Sequence, residues 1–150
     1  MSARHRLCGV VLGLLVSAPM VADASPSDGE LVGRWGTPSG GVVEFATCGE
    51  PRREPSTCGR IAALGGPASG ERRDTRNPST SLRARPVLGL EILSGLHPAG
   101  AGAWAVEALY NPDDGHTYRG AIYLVGDDRL ELKGCALAIL CQTQTWRRVQ

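Results

Sequence analysis

Between Ala103 and Val149 apolar side chains recur with a period of two rather than 3.6, in short runs separated by turn signals. Leu130-Glu131-Leu132-Lys133 alternates apolar and charged after Arg129, as a half-buried strand does. His116 to Val125 sets Tyr118, Gly120, Ile122 and Leu124 on one face and Thr117, Arg119 and Tyr123 on the other. Ala103 to Tyr110 places Trp104, Val106 and Ala108 together. The connections are Asn111-Pro112-Asp113-Asp114-Gly115 and Gly126-Asp127-Asp128. Proline presets a turn φ, Asn and Asp bond their own backbone, and Gly accepts positive φ. Three consecutive strands joined this way make a meander.

Upstream, Leu31–Trp35 and Val42–Ala46 flank Gly36-Thr37-Pro38-Ser39-Gly40-Gly41, a hairpin pattern. Cys58–Leu64 is a further strand, Val87–Leu93 is strand or helical turn, and Gln142–Val149 closes the chain as a last strand. About eight strands with no long helix after residue 24 predict an all-β fold, a small antiparallel barrel that closes to remove its edges. Such a barrel is filled by side chains or holds one small ligand. Gly120 and Ala108 are small on the inward face, which leaves room inside. Gly65 to Arg85 interrupts the rhythm as a long polar connection rich in Gly, Pro, Ser and Arg.

The N-terminus has a different logic. Arg4 and Arg6 precede an apolar run from Leu7 to Val16, and Ala22-Asp23-Ala24 supplies a small-x-small cleavage pattern. That order predicts a secretory signal over residues 1–24, cut between Ala24 and Ser25. The run is too short to span a bilayer, and no later stretch is apolar enough to do so. The remaining 126 residues, 25–150, suit one domain able to bury about two thirds of its surface. Removing the signal takes Arg4, Arg6 and Asp23 with it and leaves 14 basic and 14 acidic side chains. This balance lacks the basic footprint of a nucleic-acid binder.

Four cysteines remain after Cys8 leaves: Cys48, Cys58, Cys135 and Cys141. Four allow three pairings, and an oxidising compartment favours disulfides. The local pairs Cys48–Cys58 and Cys135–Cys141 are preferred, because each staples two neighbouring β segments. A zinc site lacks its usual close-spaced thiolates.

Side chains with chemical potential have plainer explanations. Asp113-Asp114 and Asp127-Asp128 sit beside Gly in turns, where Asp bonds backbone, and calcium-loop spacing is absent. His97 and His116 lack a nucleophile elbow such as Gly-x-Ser-x-Gly and read as exposed loop histidines. Arg72, Arg73, Arg76, Arg83 and Arg85 form one basic stretch, diluted by Glu71 and Asp74, and read as a solvated loop. No catalytic residue, metal ligand or cofactor is assigned.

The order of motifs resembles a known family. Gly33-Arg34-Trp35 opens the domain, and Cys58-Gly59-Arg60-Ile61 follows. Next come Asn77-Pro78, Leu82-Arg83-x-Arg85-Pro86-Val87-Leu88-Gly89-Leu90, Trp104, and Tyr110-Asn111-Pro112-Asp113-Asp114-Gly115-His116-Thr117-Tyr118. Leu130 to Cys135 and Gln142 to Val149 complete the set. The chain is similar over nearly all of residues 25–150 to the exported bacterial family called domain of unknown function 2147. The resemblance implies a periplasmic or secreted lipocalin-like barrel and no established activity. The Gly-x-Trp opening with a late Arg also resembles lipocalins, where Arg covers Trp at the closed barrel end. Trp35 with Arg147 or Arg148 would fill those parts.

The functional expectation is a non-catalytic module that binds a small apolar or amphipathic ligand, with Trp104, Tyr118, Gly120 and Trp146 as ligand-binding residues. The alternative is an envelope structural or interaction protein with a filled barrel. An enzyme comes third.

Overall fold

Eight antiparallel strands close into one barrel in the computed structural model, which describes residues 28–49, 56–66, 71–137 and 139–150. The strands are β1 (Gly33–Gly36), β2 (Val42–Cys48), β3 (Ser56–Ala63), β4 (Glu91–Gly100), β5 (Ala103–Asn111), β6 (His116–Leu124), β7 (Arg129–Ala136) and β8 (Leu140–Val149). Each pairs with the next, and β8 returns to β1 through Trp35 opposite Arg148. The expected signal segment 1–24 and its cleavage site at Ala24 and Ser25 lie outside the described residues.

Period-two alternation and turn chemistry place seven of these strands close to where the sequence reading puts them. The fourth differs. The run Val87–Leu93 is not one strand: Val87 to Leu90 forms a turn in which the Leu90 N–H donates to the Val87 carbonyl (3.1 Å), with Gly89 at φ +81°. β4 begins at Glu91 and continues through His97 and Pro98. Its alternation was masked by Gly95, whose φ is +63° and where an added Cβ would meet the Glu107 Cβ at 2.8 Å; the register of β4 on β5 shifts further on, between Pro98 and Gly100. A second register shift between Val106 and Leu109 changes the phase of β5, so the inward face set by Trp104 and Val106 passes to Leu109 rather than Ala108.

Both disulfides form as preferred from the sequence. Cys48–Cys58 joins β2 to β3 near one end of the barrel, and Cys135–Cys141 joins directly opposed residues of β7 and β8 at the other.

The interior is packed at one end only. Trp35, Phe45, Leu96, Trp104, Ile122 and Leu130 are all buried in a continuous apolar cluster near the β4–β5 and β6–β7 turns. Arg148 seals this end, its guanidinium 4.2 Å over the Trp35 ring. It donates to the carbonyls of Glu30 (2.7 Å), Val32 (3.0 Å) and Asp127 (2.8 Å). The Trp35 indole N–H in turn donates to the Leu31 carbonyl at 2.9 Å. Of the two candidate arginines, Arg148 therefore covers the tryptophan, while Arg147 lies 3.9 Å from Asp128.

Candidate functional site

At the opposite end the barrel is hollow. A cavity of about 690 Å³ opens between the β1–β2, β3–β4, β5–β6 and β7–β8 connections. Its wall is aliphatic and aromatic: Val43, Ile61, Leu93, Leu109, Leu132 and Trp146. Polar groups gather at the mouth, namely Arg72, Asp113, Tyr118, Gln142 and Gln144. The Trp146 indole N–H donates to the Gln144 side-chain oxygen at 3.0 Å, which fixes the ring at the boundary between cavity and core. An apolar chamber with a polar rim is suited to an amphipathic guest.

Between β3 and β4, residues 71–90 form a structured strap on this mouth. Its two limbs pair through Arg73 and Pro86, with the Asp74 N–H on the Arg85 carbonyl (3.1 Å) and the Val87 N–H on the Arg72 carbonyl (2.9 Å). Asp74, with no solvent-exposed surface, anchors it. The Asp74 carboxylate accepts from the Tyr110 hydroxyl (2.5 Å), the Asn77 amide (2.9 Å), and Arg85 Nε (2.9 Å) and Nη2 (2.8 Å). Burial alone would push this carboxyl up. The hydrogen bonds from Tyr110, Asn77 and Arg85, with the Arg85 charge, outweigh it and hold it below its ordinary value. Burial and the same carboxylate push the Tyr110 hydroxyl up. At the strap's edge Arg72 pairs with Asp113.

The β5–β6 turn behaves as its residues dictate. The Asn111 side chain caps the Asp113 N–H (3.0 Å), and Asp114 accepts from the His116 N–H, the Asn111 amide and the Tyr118 hydroxyl, each at 2.8 Å. Burial opposes ionisation of Asp114, but these bonds and nearby His116 hold its carboxyl low. The Tyr118 hydroxyl, bonded to that carboxylate, is pushed up. His97 and His116 are both exposed, beside Glu107 and Asp114 respectively.

Of the four expected ligand residues, Tyr118 and Trp146 line the cavity, whereas Trp104 lies in the packed cluster. Gly120 is not among the lining residues, and a Cβ there would meet the Lys133 carbonyl oxygen at 2.3 Å. Its cross-strand neighbour Gly134 lines the cavity instead. The Asp74–Asn77–Arg85–Tyr110 cluster was missed, because the arginine-rich segment reads as solvated loop. The available signal was Asp74 three residues before Asn77-Pro78, an arrangement in which short polar side chains fold a turn on themselves.

The strap also approaches the barrel closely at Gly115. Its φ is +77°, and a Cβ would lie 1.9 Å from the Arg76 carbonyl oxygen. Gly115→Ala is therefore expected to lift the strap while leaving the barrel folded. Trypsin cleavage at the strap arginines should accelerate on the order of tenfold, the effect of roughly 1–3 kcal/mol of backbone strain on local opening. Unchanged cleavage would show that the contact does not hold the strap.

The family described as "Uncharacterized protein conserved in bacteria (DUF2147)" matches residues 33–148. Among solved structures, protein HP1028 from the human pathogen Helicobacter pylori, described as belonging to the lipocalin family, is similar at 24% sequence identity. The match has a TM-score of 0.68 and covers 80% of this chain and 83% of that one. No curated protein matches the sequence.

Proposed function

Since the chain belongs to the bacterial family of domain of unknown function 2147 and has a lipocalin-like barrel, we propose that it is an exported carrier of a small amphipathic ligand with an alkyl portion. The observation that carries this reading is the one-sided interior: packed and sealed by Arg148 at one end, hollow and apolar-walled at the other. A volume of about 690 Å³ suits one small ligand. Export is supported by the order of charge, apolar run and cleavage pattern in residues 1–24 and by two disulfides. Among the described residues no helix is long and apolar enough to cross a membrane.

The ligand's apolar part would lie along Leu109, Leu132 and Trp146, with its polar end at Tyr118, Gln142 or Arg72. Burying about ten methylenes at roughly 0.8 kcal/mol each, less the cost of association, gives micromolar affinity. The test is titration of delipidated protein with an alkyl-chain series, read by tryptophan emission. Trp35 and Trp104 lie outside the cavity wall, so a saturable change that Trp146→Phe abolishes is the expected result. The absence of binding across the whole series would sink the carrier reading.

A further inference from the structure

The β7–β8 hairpin ends in Cys135-Ala136-Leu137, followed by Ile139-Leu140-Cys141, and its aliphatic side chains point into water. Leu137 is 84% exposed, Ile139 83% and Leu140 66%. Leu137 also has φ +54°, a left-handed conformation that Gly or Asn accepts far more readily than a bulky residue. Barrel stability gives no reason for leucine in that position. The tip is nevertheless held in place, by the Cys135–Cys141 disulfide at its base and by the Ile139 N–H on the Leu137 carbonyl at 2.8 Å. It stands at the mouth of the cavity, since Ile139 and Leu140 also line it.

The open end keeps an excess of basic groups even with Asp113 and Asp114 of the β5–β6 turn counted. Residues 71–90 carry five arginines against Glu71 and Asp74, and of these Arg76 and Arg83 enter none of the described ion pairs. Arg119, exposed on β6, sits directly opposite Cys135 at the base of the tip. Leu82 and Leu88 add exposed aliphatic groups on the strap. Five of the eight exposed large hydrophobic side chains among the described residues thus lie on the strap and the β7–β8 hairpin tip at the open end.

We propose that this end docks on an anionic phospholipid bilayer, with Leu137, Ile139 and Leu140 inserted among the acyl chains and Arg76 and Arg119 on the headgroups. Three protruding aliphatic side chains are too little surface for a specific protein interface, which needs about 800 Å² per partner. A bilayer demands no complementary shape, and insertion of a few apolar groups with basic support is how peripheral proteins bind it. Docking would place the cavity mouth against the lipid surface. The proposal stands whether or not the cavity carries a ligand.

The experiment is cosedimentation of the exported protein with vesicles of phosphatidylcholine, with and without phosphatidylglycerol. Wild type should bind the mixed vesicles and lose binding as salt is raised. The double variant Leu137→Asp, Ile139→Asp should bind about a hundredfold more weakly. Both positions are exposed and Asp tolerates positive φ better than Leu, so its near-ultraviolet circular dichroism should match wild type. Arg76→Gln with Arg119→Gln should weaken binding to the anionic vesicles about thirtyfold and leave neutral vesicles unaffected. Absence of wild-type binding overturns the proposal, as does binding that the aspartates leave intact. Loss of self-association in the aspartate variant, without vesicle binding in wild type, would assign the tip to a second copy of the chain and equally overturn it.

Discussion

Asp74→Ala is expected to lower global stability by about 3 kcal/mol and to free the strap of residues 71–90 from the barrel. The carboxylate has no exposed surface and takes four bonds from three side chains, one of them Tyr110 on β5. Removing it leaves the Arg85 charge without its partner and the Tyr110 hydroxyl without its acceptor. Breaking a buried pair in this way costs about 3–5 kcal/mol. Arg85 retains partial exposure, at 33%, so water recovers some of the loss and the lower figure applies. For a chain of this size the midpoint of thermal unfolding should fall by roughly 10 °C. Asp74→Asn keeps the shape and loses the charge, and should fall between the two.

The same carboxyl sets a pH dependence. Its value in the folded protein lies below the ordinary 3.8, so between the two values the unfolded chain binds more protons than the folded one and stability rises with pH. The contribution is present at neutral pH and is lost as pH falls from about 4 through the folded value. Asp114, lowered in the same sense, adds to it. The difference in stability between wild type and Asp74→Ala should therefore shrink in acid. Denaturant unfolding at several pH values measures this. A variant within about 0.5 kcal/mol of wild type at neutral pH, with a strap equally resistant to trypsin, would refute the anchoring role.

The barrel was legible in the sequence because its determinants are local. Alternation at Leu130–Lys133 and the turn residues at Asn111–Gly115 specify strands and hairpins without reference to the rest of the chain. β4 was displaced because Gly95 breaks the alternation that would reveal it, and the crowding that calls for a glycine there comes from Glu107 on another strand. The anchor was hidden for a related reason. Asp74 meets Tyr110 across 36 residues, and nothing adjacent to either one announces the meeting. Closure also decides which aromatic ring faces empty space. Trp104 and Trp146 occupy inward positions alike and both belong to the buried cluster, but the stagger of the strands leaves Trp146 also bordering the cavity.

Glycine shows the same dependence on register, and it supplies the sharpest test of the cavity. Gly120 and Gly134 face each other across β6 and β7. At Gly120 an added Cβ would meet backbone at 2.3 Å, so even alanine must move a strand. At Gly134 it would meet only the Leu109 Cδ1, at 3.5 Å, which is ordinary contact. The backbone at Gly134 does not need positive φ, so leucine fits there without strain. Gly134→Leu should then fold as wild type does, with a side chain reaching into the space the ligand's apolar portion would use. The preferred chain length in the alkyl series should shorten by about three methylenes. The longest well-bound member should lose about 2.4 kcal/mol, roughly fiftyfold in affinity, at about 0.8 kcal/mol per methylene. Titration of both proteins with the same series decides the matter. Equal affinities for every chain length would mean that no ligand enters between β6 and β7, and the carrier reading would fall with them.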